Sequence, residues 1–294
     1  MDQAGLLRDR LANMQKNKQQ SFAPAARVIT VASGKGGVGK TNFSINLALY
    51  LHRKGVRVIV LDADLGLANI EILLGISPRH SLLDVLAGNN TLEEAITRTH
   101  GGLGFISGGS GLVEMANIDG QMLNVAIDKL GALDEIADII LIDTGAGISN
   151  SVLKFVMAAN ECFVVCTPEP TSITDSYALI KAIKDRGTYE EPPQIKMVIN
   201  GADDKDEGRN IFKNLQQVTH KFLQVNLEHL GTLPHDSNLR KAVRSQKPCI
   251  LSYPNTAFSR EVEAIGNKVL SINAQPTKVG MKGFMKRLTK IFGN

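Results

Sequence analysis

Short apolar runs rich in Val and Ile recur along the chain, at residues 28–32, 56–61, 103–106, 139–142, 162–166, 195–199 and 225–231. They are continuous rather than alternating, the pattern of strands buried on both faces. Between most of them the spacing changes to three and four residues, which predicts helices over 44–51, 119–131, 150–159, 174–187, 207–222 and 260–272. Strand and helix in alternation build parallel units with right-handed crossovers. The expectation is an α/β fold: a mainly parallel twisted sheet of about seven or eight strands with helices on both faces. Ligands of such sheets bind beyond the carboxyl ends of the strands, so the loops after the strands are the places for chemistry.

Two amphipathic stretches lie outside this alternation. In residues 1–15, Ala4, Leu7, Leu11 and Met14 fall on one helical stripe with Asp2 as a possible N-cap, and 16–24 form a polar linker. At the other end, Met281, Phe284, Met285, Leu288, Ile291 and Phe292 recur at helical spacing, with Lys282, Lys286, Arg287 and Lys290 between them. The chain thus divides into an N-terminal segment 1–24, a body 25–273 and a tail 274–294. An apolar stripe beside a basic face suits a helix lying in a membrane interface, and it also suits a helix packed on its own protein. The charge favours the membrane, since anionic lipid attracts cations near its surface. Gly280 and Gly283 weaken the helix, so the tail is expected to order on lipid or on the body.

The 294 residues are 43% hydrophobic, ample for a core. Cys162, Cys166 and Cys249 form no C-x-x-C pair, which points to small buried hydrophobes in a reducing cytosol. Neither a membrane span nor a signal peptide is apparent. The net charge of +4 is a property of the tail. From Ala264 onward there are six Lys/Arg and no acid, leaving 27 Lys/Arg against 29 Asp/Glu elsewhere. A body-wide nucleic-acid footprint is therefore not expected.

Chemistry enters after the run 28–32. Gly34, Lys35, Gly36, Gly37, Val38, Gly39, Lys40 and Thr41 fit G-x-x-x-x-G-K-[ST] between a strand and a helix, with Asn42 next in the first turn. This is a phosphate-binding loop, whose N–H groups and helix dipole attract anions. Lys40 is placed to reach the β- and γ-phosphates and Thr41 to offer its hydroxyl to Mg²⁺.

Lys35, directly after the first glycine, makes the loop resemble that of the MinD/ParA family of deviant P-loop ATPases (SIMIBI class). The resemblance covers residues 27–272 and implies ATP/ADP and Mg²⁺ as ligands. It makes Lys35 a contact across an ATP-bound homodimer to the partner's phosphates, and it gives Lys35, Lys40 and Asp64 the catalytic work, Asp64 orienting the attacking water. Asp62-Ala63-Asp64-Leu65-Gly66-Leu67-Ala68-Asn69 looks like switch I, and Asp143-Thr144-Gly145-Ala146-Gly147 like switch II. Asp143 and Asp62 would then join Thr41 around Mg²⁺. Asn200 and the segment Pro234-His235-Asp236 are similar to those that hold adenine, although Ala202 stands where the family often has a basic residue. The opening Asp2-Gln3-Ala4 resembles the activator segment of the FlhG (FleN/YlxH) branch. That likeness implies stimulation of an FlhF-like GTPase, contact with flagellar C-ring proteins, and a cytoplasmic protein at the inner face of the membrane that regulates flagellar number or placement. The alternatives are a Min-type or ParA-type positioning ATPase and a scaffold with an inactive nucleotide site. An iron–sulfur carrier would need paired cysteines, and a bacterial tyrosine kinase a C-terminal tyrosine cluster, whereas the last tyrosine is Tyr253.

Overall fold

A computed structural model describes residues 25–64, 69–108, 120–186, 192–271 and 280–292, apart from the side chains of 120–123 and 292. Asp2, Gln3 and Ala4, residues 65–68 of the first switch, and the Phe292 side chain lie outside the described residues.

Eight strands form one sheet among the described residues: β1 (Arg27–Ala32), β2 (Val58–Ala63), β3 (Thr97–Arg98), β4 (Gly104–Ser107), β5 (Ile139–Thr144), β6 (Glu161–Cys166), β7 (Gln194–Ala202) and β8 (Glu228–Pro234). Their order is β3-β4-β2-β5-β1-β6-β7-β8, and every pairing is parallel except that of the two-residue edge strand β3 with β4. The strand order reverses on either side of β1, so the loop after β1 opens at a switch point where a ligand crevice forms. Register matters for the site. Asp62 on β2 lies directly beside Asp143 on β5, so two carboxylates leave the sheet at the same level.

Helices cover both faces. On one, α1 (Lys40–Arg53), α2 (Asn69–Leu74), α10 (Ser237–Arg244), α11 (Cys249–Ser252) and α12 (Ala257–Ser271) close a core that includes Phe43, Leu47, Phe163, Phe258 and Ile265. Across the sheet lie α3 (Leu82–Leu86), α4 (Leu92–Ala95), α5 (Gly120–Gly131), α6 (Leu133–Ile136), α7 (Asn150–Ala158), α8 (Pro170–Asp185), α9 (Lys205–Leu223) and α13 (Gly280–Phe292). The long helices start on side-chain caps where the sequence supplies them: Asp204 accepts from Asp206 and Glu207 N–H at α9, and Ser149 from Val152 N–H at α7.

At the amino ends of the strands a charged group is buried. Arg27 Nη2 donates to Glu161 Oε2 at 2.7 Å, Lys196 Nζ sits 2.8 Å from the same oxygen, and Arg27 Nη1 donates to Val269 O at 2.8 Å. Burial opposes the Glu161 charge, yet the two cations hold its carboxyl below the usual range.

Of the two placements expected for the tail, on lipid or on the body, the described conformation has the second. The helix forms where the spacing places it, but Met281, Phe284, Met285 and Leu288 are all 0–1% exposed against the body. They fill a groove beside α5, α6, α7 and β1, where Phe284 stacks on Phe155 with ring centroids 6.4 Å apart. Ile291 is half-buried at the same seam. Lys282 and Lys286, by contrast, face solvent, and Lys282 pairs with Asp128 at 2.8 Å. An apolar stripe has no means of distinguishing lipid from a neighbouring core, and here the core covers it.

Candidate functional site

The loop from Ala32 to Lys40 is shaped by close approach and by positive φ. Gly37 and Gly39 have φ of 78° and 87°, a region costly for residues with a Cβ. A side chain at Gly34 would collide with the backbone of Asp175 in α8, and one at Gly39 with the Asn200 amide. That amide donates to Val38 O at 2.7 Å. Asn200, expected near adenine, therefore spends a donor on bracing the loop from β7. The first turn of α1 has neither a side-chain cap nor an acidic residue, so its N–H groups are available to an anion.

Beside this turn stands Asp143, fully buried. Its Oδ1 lies 3.2 Å from Lys40 Nζ and accepts from Ser44 Oγ at 2.8 Å, while Oδ2 accepts from Thr41 Oγ1 at 2.7 Å. Ser44 was not foreseen. Its signal is its position, one helical turn after Lys40 and so on the same face. Asp62 is 4% exposed, and burial together with the nearby Asp143 and Asp64 charges pushes its pKa up to about 7, against the backbone N–H of Asp64 and the Lys40 charge. Asp64 is half-buried at the cavity wall, and Asn69 Nδ2 donates to its Oδ2 at 2.9 Å. Asn69 closes the switch I stretch named from the sequence, but its bond to Asp64 was not foreseen, since a side-chain contact between residues five apart has no local pattern.

Asp143 and Asp62 thus lie near the Lys40 ammonium, and Asp64 lines the same cavity. The oxygen donors of Thr41, Asp62 and Asp143 are the hard, largely anionic set that Mg²⁺ takes, with Thr41 Oγ1 and Asp143 already in contact and Asp62 beside Asp143 on the next strand. The site fits this cation.

The cavity at the loop encloses about 420 Å³, walled by Lys35, Gly37, Lys40, Thr41, Asp64, Ala146 and Val243 among others. Lys35 is turned to its own chain. Its Nζ donates to Glu169 Oε2 at 2.6 Å and to Thr171 Oγ1 at 2.9 Å, at the start of α8. In the second switch, Thr144 Oγ1 donates to Val31 O at 3.0 Å and Gly147 N–H to Ser33 O at 2.9 Å. Gly147 has φ of 89°, while Gly145 lies close to Asp64. These bonds tie the switch to the strand that carries the phosphate loop. Pro234, His235 and Asp236 do not wall this cavity. His235 is exposed, and Asp236 caps α10 by accepting from Asn238 N–H at 2.9 Å. Burial works against the Asp236 charge, but N–H donors from Asn238 and Phe258 hold its pKa below the usual value. All three cysteines are free and buried, with burial pushing Cys162 up to about 12.

A family model described as ParA, NUBPL iron-transfer P-loop NTPase, matches residues 25–270. The chain is 39% identical over 276 residues to antiactivator FleN of Pseudomonas aeruginosa, covering 93% of this chain and 97% of that one. It is 34% identical to the flagellum site-determining protein YlxH of Helicobacter pylori, covering 97% of each. Among solved structures, the septum site-determining protein MinD complexed with Mg-ADP from Pyrococcus horikoshii aligns with TM-score 0.65 and 25% identity over 86% of this chain and all of that one. The deviant phosphate loop, the paired switch aspartates on adjacent strands and these full-length likenesses lead to one assignment: the chain belongs to the ParA/MinD family of P-loop ATPases, in the branch of FleN and YlxH.

Proposed function

We propose that this chain hydrolyses ATP at the β1–α1 loop and uses the ATP-bound and ADP-bound states to regulate flagellar number or placement. The observation that carries the reading is the convergence of Lys40, Thr41 and Ser44 on Asp143 beside an uncapped helix start. Thr41, Asp62 and Asp143 would hold Mg²⁺, which when bound neutralises charge on the β- and γ-phosphate oxygens. Lys40 exchanges its contact with Asp143 for the phosphates, and the loop N–H groups bind the remaining oxygens. Asp64, steadied by Asn69, orients the attacking water, and the second-switch residues Asp143 to Gly147 respond to loss of the γ-phosphate. Lys35 leaves Glu169 and reaches the phosphates of a second copy, which makes the active form a dimer.

The termini carry the output. The segment with Asp2, Gln3 and Ala4 stimulates an FlhF-like GTPase, and C-ring proteins are further partners. The tail, docked in the described conformation, reaches an anionic membrane only after leaving its groove, so membrane residence follows the nucleotide state. ATP turnover and liposome sedimentation test this together. Hydrolysis that rises with anionic liposomes, and sedimentation with ATP but not ADP, is the expected result. Absence of turnover under all conditions would leave a nucleotide-binding scaffold, and equal sedimentation of a chain ending at Pro276 would remove the tail from the mechanism.

A further inference from the structure

A second cavity, of about 690 Å³, lies on the α1 face of the sheet. It is larger than the phosphate-loop cavity and within the range that encloses a drug-sized molecule. Leu49 of α1, Leu74 at the end of α2, the turn at Thr99 and His100, and the segment from Ser245 to Tyr253 form its walls. Thr99 is 8% exposed, and its Oγ1 is buried without a hydrogen-bond partner among the described residues. That oxygen is closed off from the cavity as it is from solvent, so Thr99 lines the space with its other atoms. The lining is mixed, with Leu49, Leu74, Pro248, Leu251 and Tyr253 beside polar side chains, and its charged or chargeable members are His100 and Lys247, with no carboxylate. Gln246 adopts φ of 53° at this wall, against Gly75 with φ of 61°.

The cavity shares its walls with the nucleotide site. On α2, Ile72 and Leu73 line the phosphate-loop cavity and Leu74 lines this one; Val243 in the last turn of α10 lines the first and Ser245, just after that helix, the second. Movement of either element alters both spaces.

We propose that this cavity is a second ligand site, for a small amphipathic carboxylate whose apolar body lies on Leu49, Leu74 and Leu251 and whose head meets the exposed Lys247 and His100 at the rim, and that its occupancy is coupled to the nucleotide pocket. Coupling of this kind is reciprocal, so the carboxylate changes nucleotide affinity by the factor with which nucleotide changes its own.

The test uses the full chain and octanoate, titrated by calorimetry without nucleotide, so that its result is independent of the proposed ATP chemistry. N-acetyl-alanyl-leucine is titrated in parallel, because a peptide carboxyl terminus carries the same chemistry; the tighter of the two identifies the source. The expected result is saturable binding of one molecule per chain, weakened at least about tenfold by Leu251→Trp, which fills the space from a partly exposed position, and similarly by Lys247→Glu. Lys184→Glu, at a separate surface groove, leaves binding unchanged, and circular dichroism verifies that each variant is folded. Saturating octanoate is expected to change the release rate of a fluorescent ADP, and Leu251→Trp to remove the change. Absent or non-saturable binding, binding indifferent to the cavity variants, or equal binding of octanol would overturn the site. An unchanged ADP release rate would overturn the coupling.

Discussion

Replacing Asp134 by alanine isolates the docking of α13 from the lipid chemistry of its stripe. Asp134 belongs to α6, yet it caps another helix: Oδ1 accepts from Met281 N–H at 2.7 Å and from Ala26 N–H at 3.2 Å, and Oδ2 from Lys282 N–H at 3.2 Å. The first turn of α13 has no acidic residue of its own, so this carboxylate supplies the charge that a helix start favours. Loss of a cap costs about 1 kcal/mol and hydrogen bonds to a charged group about 1.5–3 kcal/mol, which together give about 2.5–4 kcal/mol for the substitution. At about 1.4 kcal/mol per factor of ten, opening of α13 becomes roughly 60- to 700-fold more frequent. Met281, Phe284, Met285 and Leu288 are untouched, so the released helix keeps its whole apolar face. Hydrogen exchange of peptides spanning residues 281–292 reads the opening directly. Anionic liposomes read its consequence, and Asp134→Ala is expected to sediment with them even in ADP. Exchange within about threefold of the parent would refute the capping argument, whatever the liposomes show.

Lys40→Ala is expected to abolish measurable nucleotide binding in calorimetry, since the cation nearest the phosphates is lost; parental affinity would remove the loop from the mechanism. Asp64→Ala should bind ATP normally and lose at least about 10²-fold in turnover, trapping a dimer visible by chromatography. Asp62→Asn tests the raised pKa of Asp62. In nucleotide- and Mg²⁺-free protein the parent keeps its proton when folded and loses it when unfolded between pH 3.8 and about 7, so its stability falls as pH rises through that window. The variant should therefore melt increasingly above the parent from pH 4 to 7, with a constant gap beyond; a gap independent of pH would contradict the assignment. Glu161→Ala leaves Arg27 and Lys196 buried without their shared carboxylate and should cost about 3–5 kcal/mol, seen as a lower melting temperature.

The regions that the sequence made legible are those in which local pattern and tertiary environment agree. Seven apolar runs became strands β1, β2 and β4 to β8, and the phosphate loop sits at its strand-to-helix junction. The edge strand β3 escaped because two residues, Thr97 and Arg98, carry no period. Short helices such as α3, α4 and α11 escaped similarly: four or five residues are too few to show a 3.6-residue repeat, and their capping boxes, Ser81 with Asp84 and Thr91 with Glu94, are the signal that was available. At the site, Asp62, Asp64 and Asp143 were legible because each follows an apolar run. The pairing of Lys35 with Glu169 spans 134 residues, and no local rule reaches that far. Asn200 was located but its amide contact was not, since register and side-chain direction across β7 belong to the assembled sheet.

The contact of Asn200 with Val38 has a thermodynamic consequence. A glycine-rich loop in isolation samples many shapes, and a ligand that selects one of them loses affinity in proportion to the fraction of time that shape is absent. Here a strand residue holds the loop from outside the loop's own sequence. Entropy that phosphate would otherwise remove on arrival has already been given up during folding. A smaller variant at position 200 would shift that ordering from folding to binding, and the expected result is a lower affinity for ADP that comes from a more unfavourable binding entropy, with little change in the contacts finally made.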